Sequence, residues 1–165
     1  MILICYDGSK DSRAAIERAA ELFRSQPATI LTVWQPFLEV AARSTVGFGL
    51  VPSIPDADEI DEASQKASEQ TAGEGVKLAQ ALGLKAGPRV TAQVSTTGRA
   101  ILKEADEVGA SVIVMGTRGL TGVKSLLLGS VSHEVVEHAD RTVAIVPSPE
   151  VAASRGREVH HEVSK

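Results

Sequence analysis

Cysteine, aromatic residues, clustered positive charge and long apolar runs are all scarce in this sequence of 165 residues. Cys5 is the single cysteine, which excludes an intramolecular disulfide and a thiol-rich metal site, and its apolar neighbours predict a small core residue, not a nucleophile. Aromatic residues make up 3% of the chain, so we expect an aliphatic core. The net charge of −4 without a basic block gives no support to nucleic-acid binding. No leader pattern and no run of about 18 apolar residues is present, so we expect a cytoplasmic protein without membrane association.

Three familiar catalytic or nucleotide-binding motifs are missing as well. The segment 122–125 (GVKS) lacks the glycine spacing of a Walker A loop, and no Gly-x-Gly-x-x-Gly follows the first apolar run. His133 and His138 are five positions apart and do not form His-Glu-x-x-His. The sequence therefore disfavours P-loop hydrolysis, hydride transfer and zinc-dependent hydrolysis.

Short apolar strands alternate with amphipathic helices along the chain. This alternation predicts an α/β fold of three layers, with a parallel five-stranded sheet covered by helices on both faces. We expect one domain over 1–147, a long loop over 35–55, a break at Gly87-Pro88, and a flexible polar tail over 148–165. The predicted strands are 2–6, 29–34, 89–94, 111–115 and 142–146, and the predicted helices are 11–25, 56–82, 97–107 and 130–139.

Two glycine-bearing turns follow apolar strands, one at Asp7-Gly8-Ser9 and one from Gly116 onward. If the first and fourth strands are neighbours, the strand order is 3-2-1-4-5 and both turns meet at one crevice, where open α/β sheets bind ligands. The segment 129–132 leads into a helix N-terminus, which favours an anion, and Arg118 can fork onto a phosphate. These features predict a phosphate pocket. The alternative is that the glycines end a strand and Ser130 caps a helix.

Gly116-x-x-Gly119, followed after nine residues by Gly129-Ser130, resembles the signature of the universal stress protein family. The segments 2–9 and 143–147 are similar to that family's first strand and last strand. The resemblance implies an adenine nucleotide alpha hydrolase-like fold that binds ATP. Asp7 would then meet the ribose or a phosphate-bound metal, and Val33 would hold the adenine edge through its backbone. The residues expected to wrap the ribose and phosphates are Gly116, Arg118, Gly119, Gly129, Ser130, Val131 and Ser132.

Asp7 has two interpretations. It is either a turn residue that bonds its own backbone, or a ligand-binding carboxylate that faces sugar hydroxyls or a Mg²⁺ ion held by phosphates. The sequence offers no general base with an orienting partner. The first functional hypothesis is therefore a regulatory protein that binds ATP, AMP or a cyclic nucleotide. The alternatives are a slow Mg²⁺-dependent ATP hydrolase and a protein-interaction module with an empty pocket.

The last strand is uniformly apolar (Val143, Ala144, Ile145 and Val146) and would lie at an edge of the predicted sheet. An exposed apolar edge needs a cover, and pairing with a second copy of the chain supplies one. We therefore expect a homodimer through this strand, as the resemblance also implies. The alternative is that the tail after Pro147 folds over the edge.

Overall fold

The computed structural model describes residues 1–44, 57–117, 119 and 128–153. Its core is a five-stranded parallel sheet in the order β3-β2-β1-β4-β5, so the predicted fold class and strand order are confirmed. The elements in chain order are β1 (Ile2–Cys5), α1 (Lys10–Leu22), β2 (Pro27–Trp34), α2 (Phe37–Ser44), α3 (Ala57–Ala81), β3 (Lys85–Ala92), α4 (Thr97–Glu107), β4 (Val112–Gly116), α5 (Ser130–His138) and β5 (Thr142–Val146).

The sheet separates two aliphatic cores, because alternate residues of each strand point to opposite faces. On β1, Ile2 and Ile4 pack with α1 and α3, whereas Leu3 packs on the other face with Ile101 of α4 and Val135 of α5. The central strands are therefore apolar on both faces, as expected for a parallel sheet covered by helices on each side. This arrangement gives the three layers.

The predicted loop over 35–55 is wrong for its first part, because residues Phe37–Ser44 form α2. The Phe37 N–H donates to the Asp61 carboxylate at 2.6 Å, so an acidic side chain of α3 satisfies one of the free donors at the start of α2. The prolines and glycines around this segment are typical of a loop, so the sequence pattern did not indicate the helix that this tertiary contact supports. Residues 45–56 lie outside the described residues.

The predicted break at Gly87-Pro88 is also wrong, since both residues lie within β3. The Gln93 N–H donates to the Trp34 carbonyl at 2.7 Å, so alternate residues back along β3 point toward β2 and Pro88 points away from it. Proline is tolerated there because an edge strand has no neighbour that needs its missing N–H.

The chain continues past β5 into a short helical turn over 149–153. Val151 is buried, and the exposed Lys10 and Glu150 form an ion pair at 2.6 Å, which brings this turn to the start of α1. An exposed pair of this kind contributes little to stability. The domain limits of 1–147 and 148–165 stay a prediction, and residues 154–165 lie outside the described part of the chain.

Two glycines of α3 provide a matched test of this packing. A Cβ at Gly75 would lie 2.8 Å from both Ile30 Cγ2 and Tyr6 Cδ1, whereas a Cβ at Gly73 would meet nothing within 4 Å. We expect Gly75→Ala to lower the free energy of unfolding by about 1–3 kcal/mol through overpacking. Gly73→Ala should raise it by about 0.5–1 kcal/mol through helix propensity. Urea denaturation measures both, and a stabilised Gly75→Ala variant would contradict the close packing of α3 on Tyr6 and Ile30.

Candidate functional site

A cleft opens at the carboxyl ends of β1, β2 and β4, on the face covered by α4 and α5. It encloses about 540 Å³ of empty space, in which the open solvent at its mouth is included. The apolar floor consists of Cys5, Leu31, Val33, Ile101, Met115 and Val131. The rim carries the polar residues Asp7, Ser12, Thr97 and Ser132 together with Gly116 and Gly119. The structure thus brings the two predicted turns to one crevice.

Asp7 occupies the turn between β1 and α1 and serves it structurally. The Ser9 N–H donates to Asp7 Oδ1 at 3.0 Å, which closes an Asx-turn, and Gly8 has a φ of +82° that favours glycine. The second carboxylate oxygen faces the glycine segment, because a Cβ at Gly119 would lie 2.7 Å from Asp7 Oδ2. Asp7 therefore stabilises its own turn with one oxygen and borders the cleft with the other.

Thr117 joins both ends of the segment between β4 and α5. Its N–H donates to the Val146 carbonyl at 3.1 Å, and its carbonyl accepts from the Gly129 N–H at 2.7 Å. Its buried hydroxyl donates to the Asp11 carboxylate of α1, which is also buried. The positions at which the chain leaves β4 and enters α5 are therefore held together by hydrogen bonds from three directions.

Gly116 has a packing reason for lacking a side chain. A Cβ at this position would come within 2.7 Å of the backbone carbonyl carbon and the Cβ of Asp11. The N-terminal turn of α1 thus lies directly against the end of β4. The structure explains this glycine without a ligand, and its predicted role in wrapping a nucleotide stays a prediction.

The N-terminus of α5 borders the cleft. Ser130 is exposed, Gly129 and Val131 are half-buried, and the N-cap Gly129 contributes no side-chain hydrogen bond to the helix. The N–H groups of a first helical turn have no intrahelical acceptors, so they are suited to an anion. Ser132 is buried and its hydroxyl donates to the Gly116 carbonyl at 2.9 Å, which ties α5 to β4. Arg118 lies outside the described residues.

Val33 lies where β2 extends beyond the end of β1. The Tyr6 N–H donates to the Leu31 carbonyl at 2.8 Å, so the backbone groups of Leu31, and by alternation those of Val33, point toward β1. β1 ends at Cys5, and the Tyr6 carbonyl accepts the Thr32 hydroxyl at 2.8 Å. The backbone N–H and carbonyl of Val33 are therefore directed at the space past the end of β1.

Several lining residues were missed by sequence reasoning. Ile101 and Met115 match the periodic apolar pattern of core residues, so nothing in the sequence distinguishes them as part of a cleft. Thr97 left a weak signal, because it is the first residue of the helix that follows the edge strand.

Cys5 lies half-buried in the floor of the cleft beside Asp7. Burial raises the pKa of its thiol to about 12, and the negative charge of Asp7 adds to the shift. A thiol with such a raised pKa is a poor nucleophile. This agrees with the expectation that Cys5 is a packing residue.

The described residues contain no group of three or more His, Cys, Asp or Glu that could hold a metal ion. Among the described residues that line the cleft, Asp7 is the one carboxylate. None of the helices within the described part of the chain is long and apolar enough to cross a membrane.

Comparison with known proteins identifies the family. The model of the universal stress protein family matches residues 1–147. The chain belongs to this family. Universal stress protein YxiE of Bacillus subtilis is 34% identical over 152 residues, which cover 88% of this chain and 97% of that protein.

Two solved structures are similar in fold. Protein MJ0577, from Methanocaldococcus jannaschii, has a TM-score of 0.71 at 20% identity, over 88% of this chain and 94% of that one. The universal stress protein of Archaeoglobus fulgidus in complex with dAMP has a TM-score of 0.58 at 22% identity, over 88% and 95%. The TM-scores show that the adenine nucleotide alpha hydrolase-like fold is shared. At sequence identities this low, the likeness says nothing about ligand or activity.

The raised pKa of Cys5 predicts slow thiol chemistry in the folded protein. At pH 8 we expect Ellman's reagent to react with native Cys5 at least tenfold more slowly than with the chain unfolded in guanidinium, because only the unfolded thiol, with a pKa of about 8.5, ionises appreciably there. Asp7→Asn removes the negative neighbour and should accelerate the native reaction. Equal rates for the folded and unfolded chains would contradict the placement of Cys5.

Proposed function

We propose that this protein binds ATP in the cleft and acts as a regulatory protein of the stress response. The observation that carries the proposal is the convergence of three features on one apolar floor. These features are the Asp7 turn, the close approach of Gly119, and the N-terminus of α5. A nucleotide has matching parts, namely an apolar base, a hydroxyl-bearing sugar and an anionic phosphate chain.

The floor between β2 and α4 suits the base. Leu31, Val33 and Ile101 provide apolar contact, and the Val33 backbone offers one donor and one acceptor in the plane beyond β1. Adenine presents an acceptor and an amino donor side by side, which this pair of backbone groups matches. The binding of dAMP by the similar Archaeoglobus fulgidus protein supports an adenine ligand.

The rim formed by residues 129–132 suits the phosphates. The first turn of α5 combines free N–H donors with the positive end of the helix dipole, and the exposed Ser130 hydroxyl adds a donor. Arg118 is proposed to add a cation from the glycine segment. The nine predicted positions would thus divide into a base contact (Val33), a contact to the ribose or a metal (Asp7) and a phosphate rim.

Asp7 fits a Mg²⁺ ion only together with the ligand. One carboxylate plus phosphate oxygens is a usual Mg²⁺ environment, and the ion would neutralise phosphate charge that the carboxylate otherwise repels. Asp7 Oδ2 faces Gly119, so it is the oxygen on the side of the glycine segment where the ion or the ribose hydroxyls would lie.

The carboxylate at the rim also favours the second candidate, a slow ATP hydrolase. Among the described residues that line the cleft, Asp7 is the one carboxylate and no histidine is present, so a general base with an orienting partner is lacking. Binding without efficient turnover is therefore the first proposal. Phosphate release that exceeds one turnover and is lost in Asp7→Ala would favour the hydrolase.

Ser130 gives the sharpest test of the phosphate rim. We expect Ser130→Asp to weaken ATP binding by at least tenfold in calorimetric titration, because a carboxylate at the helix N-terminus competes with the phosphates and repels them. Ser130→Asn has nearly the same size without the charge and should bind within about threefold of the wild type. Gly129→Val should also block binding by narrowing the rim. Full affinity in both Ser130→Asp and Gly129→Val would refute this pocket.

We also propose that the protein is a homodimer through β5. The two edges of the sheet differ in their exposed backbone. Thr117 bonds to the Val146 carbonyl, so by alternation the N–H and carbonyl groups of Val143 and Ile145 point away from β4. At the other edge, Pro88 interrupts the outward donors of β3. The β5 edge is thus the better template for a second strand.

Proline substitutions at matched edge positions test the dimer. Val143→Pro removes an outward N–H from β5, and Ala92→Pro removes one from β3 without touching β5. In size-exclusion chromatography with light scattering, we expect the wild type and Ala92→Pro to be dimers and Val143→Pro to shift toward the monomer. A monomeric wild type, or a dimer that only Ala92→Pro disrupts, would refute the β5 interface.

A further inference from the structure

We propose that Thr97, held by the buried side chain of Gln93, determines base specificity by accepting a hydrogen bond from the amino group of adenine. The inference rests on the proposed nucleotide site and deepens it. It concerns a polar network at the base end of the cleft that the family signature does not include.

Gln93 is a buried polar residue whose hydrogen bonds fix its orientation. Gln93 follows directly after β3 and is only 2% exposed. Its Nε2 donates to the Ser95 carbonyl at 3.2 Å, and a carbonyl can only accept. The amide nitrogen must therefore lie on the Ser95 side, which leaves Oε1 as the atom directed at Thr97 and Gln35.

The Gln93 amide oxygen accepts the single proton of the Thr97 hydroxyl. Thr97 Oγ1 donates to Gln93 Oε1 at 2.6 Å, and Gln35 Nε2 donates to the same oxygen at 3.1 Å. A hydroxyl has one proton and two acceptor lone pairs. With its proton held by Gln93, the Thr97 hydroxyl offers only acceptor capacity to the cleft that it lines.

The same network connects this acceptor to the strand that carries the predicted base contact. The Gln93 N–H donates to the carbonyl of Trp34, the residue after Val33, at 2.7 Å. Thr97 is thus linked through Gln93 to the end of β2. Thr97, Val33 and Ile101 all line the cleft.

The chemistry of the purine then decides which base fits. The adenine amino group carries two N–H bonds, so the Val33 carbonyl can accept one and Thr97 Oγ1 the other. Hypoxanthine and guanine carry a carbonyl oxygen at this position, which would face two acceptors. A misplaced acceptor in a partly buried site leaves polar groups unsatisfied, and such mismatches reduce affinity strongly.

The test is the ratio of the dissociation constants of ITP and ATP, measured by calorimetry for the wild-type protein and its variants. Because the Val33 backbone also favours adenine, the informative quantity is the change in this ratio. We expect the wild type to prefer ATP and Thr97→Val to reduce the preference about tenfold, chiefly by weakening ATP. Thr97→Ser retains the hydroxyl and should keep the preference.

Gln93→Met separates the positioning role from the contact. It removes the acceptor that holds the Thr97 proton, so the freed hydroxyl can donate to the carbonyl of ITP. We expect the preference to fall because ITP binds more tightly, which a loss of packing alone would not produce. Thr29→Val, near the start of β2 and thus at the opposite end of the sheet from the cleft, is the matched control and should leave the ratio unchanged. Thermal unfolding of each variant verifies that it is folded.

The possible failures are distinguishable. If the wild type binds ATP but Thr97→Val keeps its full preference, the specificity role of Thr97 is overturned and the nucleotide site stands. If Thr29→Val changes the ratio as much as Thr97→Val does, the effect is not local and the inference is again overturned. If the wild type binds neither nucleotide, the proposed function and this inference fall together.

Discussion

The hydrogen bonds of Thr117 are the constraint on which the rest of the cleft depends. This buried residue binds β5 through its N–H, α1 through its hydroxyl and the start of α5 through its carbonyl. An unsatisfied buried polar group is costly, so each of these partners must stay in place for the others to be satisfied. The segment between β4 and α5 is therefore anchored at both ends. The helix N-terminus at Ser130 is consequently presented to the cleft in a defined position.

The two ends of the cleft have different physical characters. At the end proposed for the base, apolar side chains and a directional hydrogen-bond network would give selectivity, because the Thr97 proton is already held by Gln93. At the end proposed for the phosphates, Ser130 and the first turn of α5 would give attraction that depends on partial charge. Asp7 lies between the two and uses one oxygen for its own turn. A nucleotide that spans the cleft would gain base selectivity at the Thr97 end and electrostatic attraction for its phosphates at the Ser130 end.

Thr117 also connects the end of β4 to β5. The bond between Thr117 and Val146 connects the anchor of the glycine segment to the strand proposed to pair with a second copy. A backbone hydrogen bond thus connects the glycine segment to the strand of the proposed dimer interface. The turn over 149–153 lies at the start of α1, because Glu150 pairs with Lys10 there.

The sequence by itself determined the fold class and the two turns, because strand and helix periodicity are local and glycine turns mark strand ends. The strand order followed from the sequence only on the condition that the first and fourth strands are neighbours, and their pairing in the tertiary structure met this condition. The sequence also marked Asp7 and the residues from Gly116 to Ser132 through their spacing. Tertiary structure alone decided that Pro88 lies in an edge strand and that residues 37–44 form a helix. Both outcomes depend on contacts between residues distant in the chain, such as Phe37 with Asp61. Thr97 and Gln93 belong to the same class. Their directional bonds form only when β3, α4 and the end of β2 meet, and no local pattern encodes which way a buried amide points.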